Sequence, residues 1–245
     1  MIVGVDHVVI VVRALERASR VYRALGFSVQ PGGVHGDGAS HNALVGFADG
    51  SYLELFAFLD TTAPRHPAWL ATLERGGGIS DLCLRTDDLA AEVRRLQAAG
   101  LPYPDPIPMS RRRPDGRLVA WRLSVPARSA RSWLPFLIED DTPREWRVPT
   151  GDAATHPNGA TGIARIDIEG TDRTTLINTL ARALDAPPHW RREPARAQFT
   201  VGSTLLECAI VDVAGHVAGP VRVWFRRHDD ADRQEHRVEN ARLVL

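Results

Sequence analysis

The chain has 245 residues, 44% hydrophobic and 24% charged, and its 30 basic and 30 acidic side chains cancel to a formal net charge of zero. That length supports a sizeable core, as one large domain or two to three small modules, and the balance leaves no global field to recruit nucleic acid or an acidic membrane. Every basic side chain other than histidine is arginine, which excludes a Schiff-base lysine and a P-loop.

Cys83 and Cys208 each sit in an apolar, strand-like run and read as small buried thiols rather than a disulfide framework or a cysteine zinc site. No basic segment precedes a long apolar stretch at the N-terminus, and no run is long enough to span a bilayer. The expectation is a cytoplasmic protein without a membrane partner.

In chain order, Ile2 to Val12 is a β-branched run that reads as a buried strand, with His7 inside it. Leu15, Ala18, Val21, Tyr22 and Leu25 then fall at helical spacing, and Gly26 closes the helix. Phe27 to Val29 starts another strand, and the Gly-rich Pro31 to Ser40 reads as a loop. His41 to Phe58 is a hairpin turned at Ala48-Asp49-Gly50-Ser51. In its second strand Tyr52, Glu54 and Phe56 share one face. A carboxylate among apolar neighbours needs a partner, and a metal, a histidine or an arginine such as Arg122 would serve.

A short helix around Ala68 to Glu74 and the hinge Gly76-Gly77-Gly78 follow. The pattern then restarts: a strand over Ile79 to Thr86, and a helix over Leu89 to Ala99 capped by Asp87-Asp88. A Pro- and Arg-rich loop spans Leu101 to Gly116, before strands at Arg117 to Val125 and Trp133 to Glu139. After the turn-like His156-Pro157-Asn158-Gly159 comes a third restart, with a strand over Gly162 to Glu169 and a helix over Thr171 to Leu184. Strands follow at Ala197 to Val201, Thr204 to Val211, Val221 to Phe225 and near Ala241 to Leu245, while the charge-dense Arg226 to Arg237 reads as a solvated loop.

Superposing the helix ends sets His7 opposite Asp81 in the second copy and Ile166 in the third, and Tyr52-Leu53-Glu54 matches Leu205-Leu206-Glu207. Spacing alone therefore yields three βαββ-type units, each a sheet covered by a helix. They divide the chain into a first module at 1–60, a linker at 61–78, a second module at 79–150 and a divergent third at 155–245. Glu207 has no histidine beside it, so the third unit reads as a structural cover.

Asp-His-Val-Val-Ile at 6–10, Leu-Gly-Phe at 25–27 and Asp-Gly-Ser-Tyr-Leu-Glu-Leu at 49–55 resemble the glyoxalase-like branch of the vicinal oxygen chelate superfamily (glyoxalases, bleomycin-resistance proteins and extradiol dioxygenases). Pro135 to Glu139 and His156 to Gly159 are further landmarks, and the first unit carries the likeness best. The resemblance implies an α+β fold of repeated βαβββ modules, paired so that their sheets form a cup with helices outside. It also implies a divalent metal (Fe, Mn, Ni or Zn) held in the cup. Carried over, the ligand positions are His7 and Glu54, with Asp81 and Glu139 in the second module, where Asp81 departs from the usual histidine. Imidazole and carboxylate suit such ions, and open positions would accept two oxygens of a substrate.

Each candidate also has a plain structural role open to it. His7 could be a core histidine bonded to backbone or to Asp81, and His41 a loop residue capping a turn. Functionally, His41 and Asn42 enter the hairpin together and could line the cup as substrate-binding residues. Trp121 and Arg122 point to opposite faces of one strand, so only one lines the cup directly; Arg122 could clamp a carboxylate or lie on the surface. Arg111-Arg112-Arg113-Pro114 beside Asp115 is a poor nucleic-acid signal. There is no Gly-x-Ser-x-Gly elbow, His-Glu-x-x-His or dinucleotide glycine motif, which disfavours hydrolase triads and a nucleotide cofactor.

Two readings of function follow from the resemblance. In the first, His7 and Glu54 are the catalytic pair of a metal-dependent lyase, isomerase or dioxygenase, working on a small oxygenated substrate through an enolate-like intermediate. In the second, a cup lined by Tyr52, Phe56, Trp121 and Phe136 sequesters a planar ligand without chemistry. A metal-free enzyme with Glu54 as base is a third. In each the partner is a small molecule, with room left for a homodimer.

Overall fold

The computed structural model describes residues 1–36, 38–62, 67–113, 115–127, 133–191, 195–213, 216–227 and 233–245. The first module runs β1 (Ile2–Val11), α1 (Leu15–Ala24), β2 (Gln30–His35), β3 (Ser40–Gly46) and β4 (Tyr52–Phe58). After α2 (Pro67–Glu74), the second repeats the order with β5 (Gly78–Thr86), α3 (Leu89–Ala98), β6 (Ile107–Arg112), β7 (Leu118–Ser124) and β8 (Phe136–Asp140). The short α4 (Arg144–Arg147) leads to β9 (Ala160–Gly170), α5 (Arg173–Leu184), β10 (His189–Arg191), β11 (Arg196–Val201) and β12 (Thr204–Ile210). Last come β13 (Gly219–Arg227), β14 (Glu235–Val238) and β15 (Ala241–Val244).

The eight strands of the first two modules close into a barrel in the order β1-β4-β3-β2-β6-β7-β8-β5. Its two seams are the antiparallel pairs β1–β5 and β2–β6. Inside lie Val9, Val11, Phe56, Trp69, Cys83, Val119, Trp121, Leu123, Phe136 and Ile138. Alternating residues such as Val8, Ile10, Leu53 and Leu55 face the other way, into the core shared with the helices. Burial on both faces explains why β1 is a continuous apolar run rather than an alternation.

The remaining strands form an open seven-stranded sheet in the order β10-β11-β12-β9-β13-β15-β14. It repeats the barrel's wiring: β9 lies parallel to β12 and antiparallel to β13, as β1 lies parallel to β4 and antiparallel to β5. The turn His156 to Gly159 ties this sheet to the first module. Asn158 Nδ2 donates to Leu25 O (2.9 Å), and His156 accepts the Ser28 N–H at Nδ1 (2.9 Å) while Nε2 reaches Gly46 O (2.8 Å). A side chain at Gly26, whose φ is 82°, would meet the Asn158 Cβ at 2.9 Å.

The structure corrects three expectations. The loops read over Pro31 to Ser40 and Leu101 to Gly116 contain strands β2 and β6. The third-copy counterpart of His7 is Arg165 rather than Ile166, because Arg165 pairs with Leu205 as His7 pairs with Tyr52. Counting back from the helix ends misleads because α5 is 12 residues long and α1 only 10; β1 itself bulges at Asp6, between Val5 and His7. Finally, Arg226 to Arg237 is not all loop: β13 extends to Arg227 and β14 starts at Glu235, with 228–232 outside the described residues.

Candidate active site

The same bulge builds the site. Neighbouring residues on a regular strand face opposite ways, yet Asp6 and His7 are both buried and bonded to each other, Oδ1 to Nδ1 at 2.7 Å. Arg147 grips Asp6 with two guanidinium nitrogens, each at 2.9 Å, and Arg144 adds a third contact. Arg147 also holds Asp140 (2.9 Å) and donates to the Tyr52 hydroxyl (2.7 Å). A bidentate, fully desolvated pair of this kind fixes geometry tightly.

His7 is thereby aimed. Its ring stacks on Tyr52 at 4.6 Å between centroids and meets the edge of Phe136 at 5.3 Å. Its Nε2 lies 3.3 Å from Glu54 Oε2. The other carboxylate oxygen accepts from Asn42 Nδ2 (2.6 Å) and faces His35 Nε2 at 3.4 Å. Ser40 Oγ engages His35 Nδ1 at 2.8 Å. Both imidazoles therefore have Nδ1 occupied by the protein and Nε2 turned toward one buried carboxylate.

Electrostatics follow from those contacts. Burial pushes the Asp6 carboxyl up, but Arg147, Arg144 and His7 more than offset it and hold Asp6 well below its ordinary 3.8. Burial acts likewise on Glu54, and hydrogen bonds and charge from His35 and His7 hold it well below 4.5. For His7 burial pulls downward, while Asp6 and Glu54 raise the ring above its ordinary 6.5. An imidazole between two ionised carboxylates can hold or pass a proton along that line.

The array forms the polar end of a pocket inside the barrel. Phe56, Trp69, Trp121, Leu123, Phe136 and Ile138 make the apolar end. Mostly apolar walls with a few converging polar groups are the usual form of a small-molecule site.

The model of the glyoxalase-like domain family matches residues 5–184. The chain belongs to that family, within the vicinal oxygen chelate superfamily. Among solved structures, a hypothetical protein from Staphylococcus aureus matches over 98% of this chain and 97% of its own, at 15% identity and a TM-score of 0.81. A xylose isomerase-like TIM barrel/4-hydroxyphenylpyruvate dioxygenase fusion protein matches at 15% identity and a TM-score of 0.58, over 94% of this chain and 37% of its own. A variant of 4-hydroxymandelate synthase from Streptomyces coelicolor matches at 15% identity and a TM-score of 0.56, over 92% of this chain and 71% of its own. At such identities the likeness concerns the fold. No curated protein matches significantly.

In this glyoxalase-like barrel, His7, Glu54, Asn42, Tyr52, Phe56, Trp121 and Phe136 all line the pocket. His41 points outward, into a groove against α1 with Leu15 and Glu16. Arg122 is on the outer face, paired with Glu139 and Asp141 at 2.9 Å each. Glu139 lies outside too, where its Oε2 accepts the Leu89 N–H at the start of α3 (2.7 Å). Asp81 lies inside, but its oxygens accept from Trp69 Nε1 (2.9 Å) and the Leu82 N–H (2.8 Å). The four candidate ligands thus do not converge, and β8 turns Phe136 and Ile138 inward instead.

Sequence reasoning missed Asp6, His35, Trp69, Arg111 and Arg147. Only Asp6 carried a signal, as an acid next to a histidine in an apolar strand. Among the described residues, the group that brings donor atoms within 4.8 Å of one another and could hold an ion is Asp6, His7 and Cys83. Two features weigh against it: the Asp6 oxygens are already gripped by two guanidiniums, and burial keeps the Cys83 thiol well above its ordinary pKa.

Proposed function

We propose that this chain is a divalent-metal enzyme acting on a small oxygenated substrate, with His7, His35 and Glu54 holding the ion. The observation that carries this reading is the pair of imidazoles with Nε2 turned to opposite oxygens of Glu54. Asp6 and Ser40 set the orientation of those rings through Nδ1, the role outer carboxylates and hydroxyls play around metal-binding histidines. Two imidazoles and one carboxylate suit first-row ions of the Fe, Mn, Ni and Zn type. A bound ion would supply positive charge for vicinal oxygens of the substrate.

The chain's own residues do the rest. The aromatic end orients the substrate and keeps water from it. Glu54 faces the carbon beside the substrate carbonyl and takes its proton on Oε2, the oxygen that Asn42 does not hold. Arg147 keeps Asp6 ionised, so His7 keeps its aim through the turnover. Isomerase and lyase outcomes begin with such a step, whereas a dioxygenase outcome would need dioxygen as co-substrate.

A second reading, ligand sequestration without chemistry, is favoured by one observation: the second module turns Phe136 and Ile138 inward and covers Asp81 with Trp69, so among the described residues it presents no His–Glu pair to match that of the first. Elemental analysis of untagged protein beside a His7→Ala/Glu54→Ala variant separates the two, together with NMR of deuterium uptake from solvent into 2-oxo acid probes. Near-stoichiometric metal lost in the variant, with exchange only in the wild type, supports the enzyme. Neither metal after reconstitution nor exchange leaves sequestration.

A further inference from the structure

Arg111 is only 4% exposed, yet its guanidinium reaches no carboxylate among the described residues. Its hydrogen bonds go to two backbone carbonyls, Gly32 O and Arg147 O, the latter at 2.9 Å. Arg144 and Arg147, by contrast, both sit on Asp6 and Asp140. The difference shows in their acidity. Burial holds Arg111 below its ordinary pKa against an upward pull from Tyr52 and Glu54, whereas Arg144 and Arg147, despite burial, are pushed up by acids in ion-pair contact. A buried guanidinium with no carboxylate in ion-pair contact is costly, and only two of its five N–H donors are engaged by those carbonyls.

Its location says what could neutralise it. Arg111 lines the pocket, and in the seam between β2 and β6 it stands directly opposite His35. Directly paired residues on antiparallel strands share a face, so Arg111 lies beside the His35–Glu54 end of the cup. Two residues back on the same strand face is Met109, paired with Trp121 at the apolar end. Across the cup stand Phe56 and Trp69, packed edge to face at 4.9 Å, with Phe136 beyond Trp69 at 6.2 Å. A cation at one end and aromatic walls at the other define a ligand with an anionic head on a flat apolar body.

We propose that Arg111 receives the carboxylate of an aryl-substituted carboxylic acid, the ring lying among Phe56, Trp69, Trp121 and Phe136. This inference rests on the active-site reading above and names its substrate class. A guanidinium fork matches a planar carboxylate in bidentate fashion. With the head on Arg111, a 2-oxo or 2-hydroxy group would meet His7 and His35, and the C–H beside it would lie toward Glu54. A single cation, with the Glu54 carboxylate in the same pocket, suits a monoanion better than a phosphate dianion.

Calorimetric titration tests it with benzoate, phenylacetate, 3-phenylpropanoate and phenylpyruvate, each beside its neutral amide, and with phenyl phosphate. Wild-type protein should bind at least one acid ten-fold or more tighter than its amide and tighter than phenyl phosphate. Arg111→Met should abolish that preference while leaving amide binding unchanged, and Arg111→Lys should retain part of it. Should Arg111→Met fail to fold, the acid-to-amide ratios of the wild type and Arg111→Lys decide. Equal binding of acids and amides, a preference that survives Arg111→Met, tighter phenyl phosphate, or no binding across the panel would each overturn the assignment. The His7→Ala/Glu54→Ala variant separates the two claims: acid preference retained without metal uptake or exchange in any form of the protein means that the chemistry fails and the recognition stands. Metal and exchange without acid preference mean the reverse.

Discussion

The barrel and the open sheet use one wiring for opposite ends. Glu54 on β4 and Glu207 on β12 occupy matching positions, one beside Val9 and the other beside Asp167. Where the barrel has His7, the open sheet has Arg165, which sits over Trp224 at 3.8 Å and pairs with Asp167 at 2.9 Å. Gln198 Nε2 ties Glu207 at 2.7 Å, and Arg222 and Trp224 complete the partners of Asp167. Acids there are matched by arginines on a sheet face that never closes. In the barrel a β2–β6 seam closes the sheet over a pocket, and histidines replace arginine at the carboxylate. A buried acid at this position is therefore not a site by itself; closure and imidazole make it one.

The sharpest way to break this comparison is to remove one arginine from each region. Arg147→Met leaves Asp6 and Asp140 in the barrel with Arg144 as their remaining arginine, and removing one partner of a buried charge pair costs about 3–5 kcal/mol. Arg222→Met in the open sheet removes partners of Asp167 and Glu235 whose surroundings are wetter, and about 0–1 kcal/mol is expected. Urea midpoints at unchanged slope measure both. Equal losses would mean that burial does not separate the two regions.

Acid should act on the barrel in the same sense. Asp6 and Glu54 have folded pKa values below their ordinary 3.8 and 4.5, so their contribution is whole above those values and is lost as pH falls through the folded ones. Each group adds at most about 1.4 kcal/mol per pH unit over that interval. His7, raised above 6.5, contributes below that pH and loses its contribution as pH rises through its folded value. Glu54→Gln should flatten the acid limb of stability against pH, whereas Glu207→Gln should leave the acid limb and metal content unchanged. An acid limb identical in wild type and Glu54→Gln would show that the array is not what titrates.

Much of this was legible beforehand, and what was not is instructive. Strand β1, the β3–β4 hairpin and helices α1, α3 and α5 all announce themselves by apolar period and caps, such as Asp88 accepting the Ala91 N–H at 2.9 Å. Strands β2 and β6 did not, and they carry His35 and Arg111. Their inner faces mix polar and apolar groups, His35 on β2 and Arg111 beside Met109 on β6, while Val34 is exposed on the outer side and Ile107 is exposed at the strand end. Residues placed for chemistry erase the alternation that marks a strand. Arg147 was hidden for another reason: it reaches Asp6 from 141 positions away, a pairing no local pattern encodes.

Trp69→Phe probes the second module at intermediate cost. It removes the indole bond to Asp81 while keeping an aromatic wall, and a buried acceptor losing a donor costs about 1–3 kcal/mol. A thermal melt reads that loss. No change would mean that Asp81 is held by its other contacts.

The smallest effect separates inside from outside. Arg122 and Trp121 are neighbours on β7, and the register Arg122 with Glu139 and Leu123 with Ile138 puts Arg122 on the outer face. Its partners Glu139 and Asp141 are partly exposed, so Arg122→Gln should cost no more than about 1 kcal/mol. Metal content and acid-over-amide preference should both stay at the wild-type level, whereas Trp121→Ala on the inner face should weaken every aryl ligand alike. Acid binding lost in Arg122→Gln but kept in Arg111→Met would put the carboxylate clamp on the outside of the barrel, which this strand register forbids.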